Sequence, residues 1–262
     1  MTTWIDPIAR ALDTRAAPLT VFFRDDDAGW SDEQLFALLS LFERRVMPID
    51  LAVIPQAIAP DVAARLAHRA RLSGLIGLHQ HGFAHVNHEL IGRRCEFGPA
   101  RPLEAQRQDI EDGRRRLLTL FGAELDSIFT PPWNRCVADT AICLLEVGIA
   151  VLSRDRSAEP IGVSGLVECA ITSDWLLKRK GVRVSRDIWA VDFARAIEAA
   201  ESPLGVMLHH AVMDERDREA FGLVLELLRN HPGVQPVRMR EAAAIPYDAR
   251  SPIDPARGAL LN

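Results

Sequence analysis

The chain has 262 residues, 48% of them hydrophobic, which is enough to bury a sizeable core in one domain of (β/α)-barrel size. Its formal charge of −5 offers no basic footprint for nucleic acid and no polybasic patch for a membrane, because the many arginines are interleaved with acids. No apolar run approaches the ~18 residues of a membrane span. The start, Met-Thr-Thr-Trp-Ile-Asp-Pro, lacks the basic and apolar regions of a signal peptide, so a cytoplasmic protein is expected. Cys95, Cys136, Cys143 and Cys169 have no Cys-x-x-Cys spacing and read as free thiols of a reducing compartment.

A short helix is expected over Pro7–Leu12, then a buried strand over Leu19–Arg24, β-branched and aromatic, ended by Asp25-Asp26-Asp27 and a glycine. Ser31 and Gln34 have the spacing of a capping box, opening an amphipathic helix to about Arg44. A strand over Ile49–Ile54, a helix over Asp61–Arg71 and a strand over Leu75–Leu78 follow. The next stretch, His79-Gln-His81-Gly-Phe-Ala-His85-Val-Asn-His88, places four of the eight histidines within ten positions. Leu103–Phe121 is a long charged helix, Ser127–Phe129 a short strand running into Thr130-Pro-Pro-Trp133-Asn-Arg135, Asp139–Val147 a helix and Ile149–Ser153 a strand. Leu166–Ile171 reads as a strand followed by Asp174-Trp175, Asp187–Ala200 as a helix, and Gly205–Leu208 as a strand ending in His209-His210. A helix near Glu219–Arg229 and a strand over Val234–Met239 complete residues 1–245, with 246–262 as a C-terminal tail.

This alternation predicts a parallel sheet and, at this length, a single (β/α) barrel of about seven strands. Five polar or aromatic clusters each follow a predicted strand, and in a barrel all such positions face one rim. A carboxylate and two imidazoles there would leave open positions on a divalent cation, as catalytic sites require. His81 and His85, four apart, suit one face of a helical turn, with Gly82 freeing the backbone to turn. The plain alternative is a solvated polar loop. A water on such an ion becomes a nucleophile near neutral pH, with a second carboxylate as base and a histidine across the mouth as acid.

The segments Phe23-Arg-Asp-Asp-Asp-Ala-Gly29, His81-Gly-Phe-Ala-His85, Thr130-Pro-Pro-Trp133, Asp174-Trp175 and Met207-Leu-His209 resemble, in order and position, the five motifs of the NodB-type polysaccharide deacetylases, carbohydrate esterase family 4. The resemblance spans about Leu19 to His210. It implies a distorted (β/α) barrel that removes acetyl groups from N- or O-acetylated sugars with a divalent metal, Zn²⁺ first, with Co²⁺, Mn²⁺, Fe²⁺ and Ni²⁺ as alternatives. Carried over by position, Asp26 is the base and Asp27 the metal ligand, with Asp25 beside the substrate; Asp25 as base and Asp26 as ligand is the other register. His81 and His85 resemble the histidine ligands, Trp133 and Trp175 the aromatic walls of the sugar pocket, and His209 the acid.

Gly82 stands where the family has Ser or Thr, and Thr130 stands where it has an arginine that orients the base. Arg24 or Arg135 would have to supply that charge from another backbone position, and Arg135 is also a candidate substrate contact. His79 is expected as a buried hydrogen-bonded neighbour, His88 as an alternate for His85, and Asp174 and His210 as supporting residues, since only one of His209 and His210 can enter the mouth. His68 and His231 read as surface residues. The expected partner is a small-molecule or oligosaccharide substrate, such as a nucleotide-sugar or polysaccharide precursor. Hydrolysis of another small amide, such as a cyclic imide or ureide, and a non-catalytic carbohydrate-binding relative are the alternatives.

Overall fold

The computed structural model describes residues 3–201 and 203–244, so the expected tail over 246–262 lies outside the described residues. In chain order the elements are α1 (Asp6–Asp13), β1 (Leu19–Ala28), α2 (Asp32–Arg44), β2 (Ile49–Val53), α3 (Pro60–Ser73), β3 (Ile76–His81), α4 (Leu103–Phe121), β4 (Leu125–Thr130), α5 (Ala138–Glu146), β5 (Val151–Leu152), β6 (Val167–Glu168) and β7 (Ile171–Asp174). They continue with β8 (Lys178–Arg179), β9 (Val182–Arg183), α6 (Arg186–Glu198), β10 (Leu204–Leu208), α7 (Glu215–Asn230), β11 (Val234–Pro236) and α8 (Met239–Ala243).

The main sheet runs β6-β5-β4-β3-β2-β1-β10-β7, every pairing parallel, with β11 added beside the start of β1. Its two ends approach through one stretch of chain. Val167 and Glu168 pair with β5, the Cys169 N–H donates to Leu152 O and the Ile171 N–H to Arg154 O, and Ile171 onward pairs with β10. The strand expected over Leu166–Ile171 is therefore divided between two neighbours, and the sheet curls into the expected distorted (β/α) barrel. Lys178–Arg183 forms a separate antiparallel hairpin.

Strand alternation assigns side chains to two cores. On β1, Val21 and Phe23 point outward, where Phe23 meets Phe42 of α2 and Phe221 of α7 edge-on at 5.3 and 6.0 Å. Phe22 points inward with Ile128, Ile171, Met207 and Met239. Burial on both faces explains why β1 reads as a continuous apolar run, and each such ring contributes roughly 1.5–3 kcal/mol. Met239 starts α8, not the end of a strand as expected, and its N–H donates to Asp50 Oδ2 at 2.7 Å. The capping box expected at Ser31 does not form: Ser31 lies in the left-handed region at φ 51° and its side chain accepts no cap hydrogen bond.

Candidate metal and hydrolytic site

The same alternation sorts the three aspartates. Arg24 and Asp26 share the inner face with Phe22. Asp25 points out toward the helices, fully buried, where its Oδ1 accepts the backbone N–H of His210 (2.9 Å) and its Oδ2 pairs with His210 Nδ1 (2.6 Å). Asp25 is thus no substrate contact, contrary to expectation, because the strand period turns it away from the mouth. Regular alternation would send Asp27 outward too. Instead its φ of 71° and a register shift between Asp25 and Ala28 against β2 turn it back to the rim.

Asp27 Oδ1 lies 3.2 Å from the Nε2 atoms of both His81 and His85, and one ligand atom from each of the three residues falls within 4.8 Å of the others. His81 is the last residue of β3, and His85 is reached by a turn with left-handed Gly82 (φ 53°) and left-handed His85 (φ 58°), not by the helical face the spacing suggested. Thr130 O faces His81 Nδ1 at 2.9 Å; a carbonyl only accepts, so Nδ1 carries a proton, and Nε2, which donates to Asp27 when protonated, is the nitrogen whose lone pair a cation would use. Burial opposes charge on His81, but the Asp27 hydrogen bond and the charges of Asp26 and Asp27 outweigh it and raise its pKa. Burial likewise opposes charge on Asp27, yet hydrogen bonds from His81 and His85 hold its carboxyl far below the usual range. Two imidazoles and a carboxylate with converging lone pairs fit a divalent cation with positions left open.

Beside this set Asp26 is 3% exposed and held bidentately by Arg24, Nε to Oδ1 at 2.7 Å and Nη2 to Oδ2 at 2.8 Å. Arg24 also donates from Nη1 to Ser153 Oγ and from Nη2 to Asn134 Oδ1, each at 2.8 Å, so every nitrogen of this fully buried guanidinium has an acceptor. Burial pushes Asp26 up, but the charges of Arg24, His81 and His209 prevail and its pKa falls, keeping it ionised at neutral pH. Arg24 thus carries the charge on Asp26 that Thr130 lacks. Arg135 does not: its Nη1 donates to Arg94 O on the loop beyond the histidines. Thr130 instead serves the histidines, its Oγ1 bonding His79 Nε2 at 2.9 Å. His79 is buried, and desolvation and the Arg24 charge lower its pKa to about 3, so it is a neutral, hydrogen-bonded neighbour of the cluster.

At the end of β10, His209 has the inward parity of Met207 and is half-buried, close enough for its charge to lower Asp26, Asp27 and Asp174. Burial nevertheless leaves Asp174 above its ordinary value. His210 has the outward parity, joins Asp25 and meets Trp30 O through Nε2 at 2.8 Å. Burial disfavours its charge, but Asp25 more than compensates and raises its pKa to about 9. His88 stays outside the three-residue cluster.

The aromatic walls differ from the expectation. Trp133 stands beside His85 at 4.5 Å between ring centroids, as placed by its left-handed φ of 57°. Trp175 is 2% exposed and packs edge-on against Trp189 and Phe221, so it belongs to the outer core. The second ring at the site is Trp30, 41% exposed and 5.0 Å from His85. Sequence reading missed Trp30, Asn134 and Ser153. The only signal was position: Trp30 and Asn134 each stand one residue beyond a motif already singled out, and Ser153 ends a predicted strand.

Fold and donor set together define a (β/α) barrel whose rim brings Asp27, His81 and His85 together as a set that can hold a divalent ion. No family sequence model matches the chain, and no curated protein does. Solved structures share the fold. A Mycobacterium smegmatis protein assigned as a polysaccharide deacetylase aligns over 88% of this chain and 93% of its own at 16% identity and TM-score 0.64. A family 4 acetyl xylan esterase from Clostridium thermocellum, in complex with a cobalt ion, aligns over 85% and 89% at 15% identity and TM-score 0.54. A family 4 pseudoenzyme from Bacillus anthracis aligns over 87% and 66% at 12% identity and TM-score 0.55. The fold is the NodB-like barrel of carbohydrate esterase family 4, reached at low sequence identity. Among the described residues no helix is long and apolar enough to cross a membrane.

Proposed function

We propose that this chain is a metal-dependent hydrolase that removes an acetyl group from an N- or O-acetylated carbohydrate, such as a nucleotide-sugar or polysaccharide precursor. The observation that carries the reading is the convergence of Asp27, His81 and His85 beside an Asp26 carboxylate gripped by Arg24. Asp27, His81 and His85 would hold the ion, most simply Zn²⁺, which when bound supplies Lewis acidity toward the acyl oxygen and the attacking water.

Asp26 takes a proton from the water as its oxygen bonds to the acyl carbon. Its low pKa keeps it ionised at neutral pH, and the Arg24 fork holds both oxygens so that the carboxylate cannot swing away. His209, across the mouth, gives a proton to the sugar nitrogen or oxygen as the bond to the acyl carbon breaks. Acetate and a free amine or hydroxyl result. Trp30 and Trp133 form flat walls on which a sugar ring can lie, and Arg135 remains a rim donor for substrate hydroxyls or anionic groups. A buried Arg24 that grips Asp26 with two hydrogen bonds, in the role that Thr130 leaves open, supports a working site over a non-catalytic binding relative.

The test is acetate release by Zn²⁺- or Co²⁺-loaded protein from a panel of N- and O-acetylated sugars and nucleotide sugars, with a chelator control. Chelator-sensitive release that is lost in Asp26→Asn, with metal retained, is the expected result. No release from any member by folded, metal-loaded protein overturns the deacetylase reading, and turnover of small cyclic amides instead replaces it with the other hydrolase.

A further inference from the structure

We infer that Glu96 is the positioning residue for His85, holding the turn between the two histidine ligands from below; this rests on reading Asp27, His81 and His85 as a cation site. Glu96 is fully buried, on no motif, and 11 positions beyond His85 in sequence. Its carboxylate is met by backbone N–H groups on both sides of His85. Ala84 N donates to Oε1 at 2.8 Å, Val86 N approaches the same oxygen at 3.4 Å, and Phe83 N donates to Oε2 at 3.2 Å. Hydrogen bonds to an ionised acceptor are stronger than neutral ones, so this carboxylate organises the turn as an anion organises a ring of amides.

His85 needs that hold. Its φ of 58° is a left-handed conformation that a residue with a Cβ avoids unless its surroundings impose it. The rest of the turn is tied elsewhere, Gly82 N to Thr130 O, Gly82 O to Gln80 Nε2 and Phe83 O to Gln56 N, which leaves the residues flanking His85 to Glu96. Glu96 is itself anchored, because the next residue, Phe97, pairs with Cys136 and accepts the Val137 N–H. One carboxylate therefore links the histidine turn to the chain just after Trp133.

The arrangement also accounts for Gly82. A Cβ there would lie 2.1 Å from Glu96 Oε2 and 2.6 Å from Pro132 Cδ, so a side chain at position 82 and the Glu96 carboxylate exclude each other. In the resembled motif a Ser or Thr at this position shapes the loop; here the glycine vacates the space and Glu96 supplies the oxygens.

The experiment compares the full chain with Glu96→Gln and Glu96→Ala, folding being checked by circular dichroism. Co²⁺ affinity is titrated by visible absorption, and amide hydrogen exchange is mapped in the metal-free proteins. The expected result is a Co²⁺ affinity weakened about 10- to 100-fold, more in Ala than in Gln, with faster exchange confined to residues 83–86. A folded variant of either kind that binds Co²⁺ with wild-type affinity, or exchanges at 83–86 at the wild-type rate, overturns the inference. If the wild-type protein itself binds no Co²⁺, the cation reading fails, and the exchange data alone decide whether Glu96 holds the turn.

Discussion

Replacing Asp25 by Asn should destabilise the protein in acid and leave it nearly untouched in base. Asp25 and His210 are both without exposed side-chain surface, and the pair raises the His210 pKa from its ordinary 6.5 to about 9. A folded-state pKa above the unfolded one contributes stability that is complete below about 6.5 and is lost as pH rises through about 9. A rise of that size corresponds to about 3 kcal/mol at pH 5.5. The substitution removes the charge and keeps the hydrogen bonds: Asn Oδ1 can accept the His210 backbone N–H, its Nδ2 can donate to a neutral Nδ1, and Nε2–H can still reach Trp30 O. The variant should therefore lose about 3 kcal/mol at pH 5.5 and less than about 1 kcal/mol at pH 10. Urea unfolding followed by tryptophan fluorescence at pH 5.5, 7.5 and 10, at constant salt, measures the difference. A penalty of equal size at all three pH values would refute a charge-linked pair and leave only packing.

Further outcomes follow from other contacts. Arg24→Lys keeps a charge but loses the fork, so the Asp26 pKa rises; because the proposed reaction needs Asp26 ionised, the acid limb of the kcat/KM profile should move to higher pH, and an unmoved limb would remove Arg24 from that role. Trp30→Ala should cost less than about 1 kcal/mol of stability while raising KM for the sugar, whereas Trp175→Ala should cost about 3–5 kcal/mol; similar thermal losses in the two would contradict their separation into rim and core. Asp50 is fully buried, and desolvation raises its pKa well above the ordinary value, so ionising it disfavours the fold as pH rises above about 4. Asp50→Asn should then gain on the wild type between pH 5 and pH 8 in urea midpoints, and an unchanged difference would show that Asp50 is already ionised in the folded protein at pH 5, against a raised pKa.

The elements and their alternation were legible because they rest on local pattern: the apolar run of β1, the 19-residue α4 and the histidine-dense end of β3 need no tertiary partner to be recognised. The polar clusters at the strand ends were legible for the same reason, since Asp, His and Trp directly after buried strands have few structural uses in such numbers. Residues without a distinctive type or spacing stayed hidden. Glu96 lies in a stretch with no periodicity, Trp30 looks like a turn residue, and Ser153 is an ordinary strand end.

What only the tertiary structure decided is which member of each adjacent pair does which work. Asp25, Asp26 and Asp27 are equivalent in sequence, yet one pairs with His210 outside the sheet, one is gripped by Arg24 inside it, and one is turned back to the histidines by a left-handed residue and a register shift. His209 and His210 divide the same way, inward and outward. A chain of letters carries the period of two but not its phase, and the phase is set by pairing with neighbouring strands. The relocated arginine has the same cause: Arg24 and Thr130 are 106 positions apart in sequence, and only barrel closure brings their side chains to one rim.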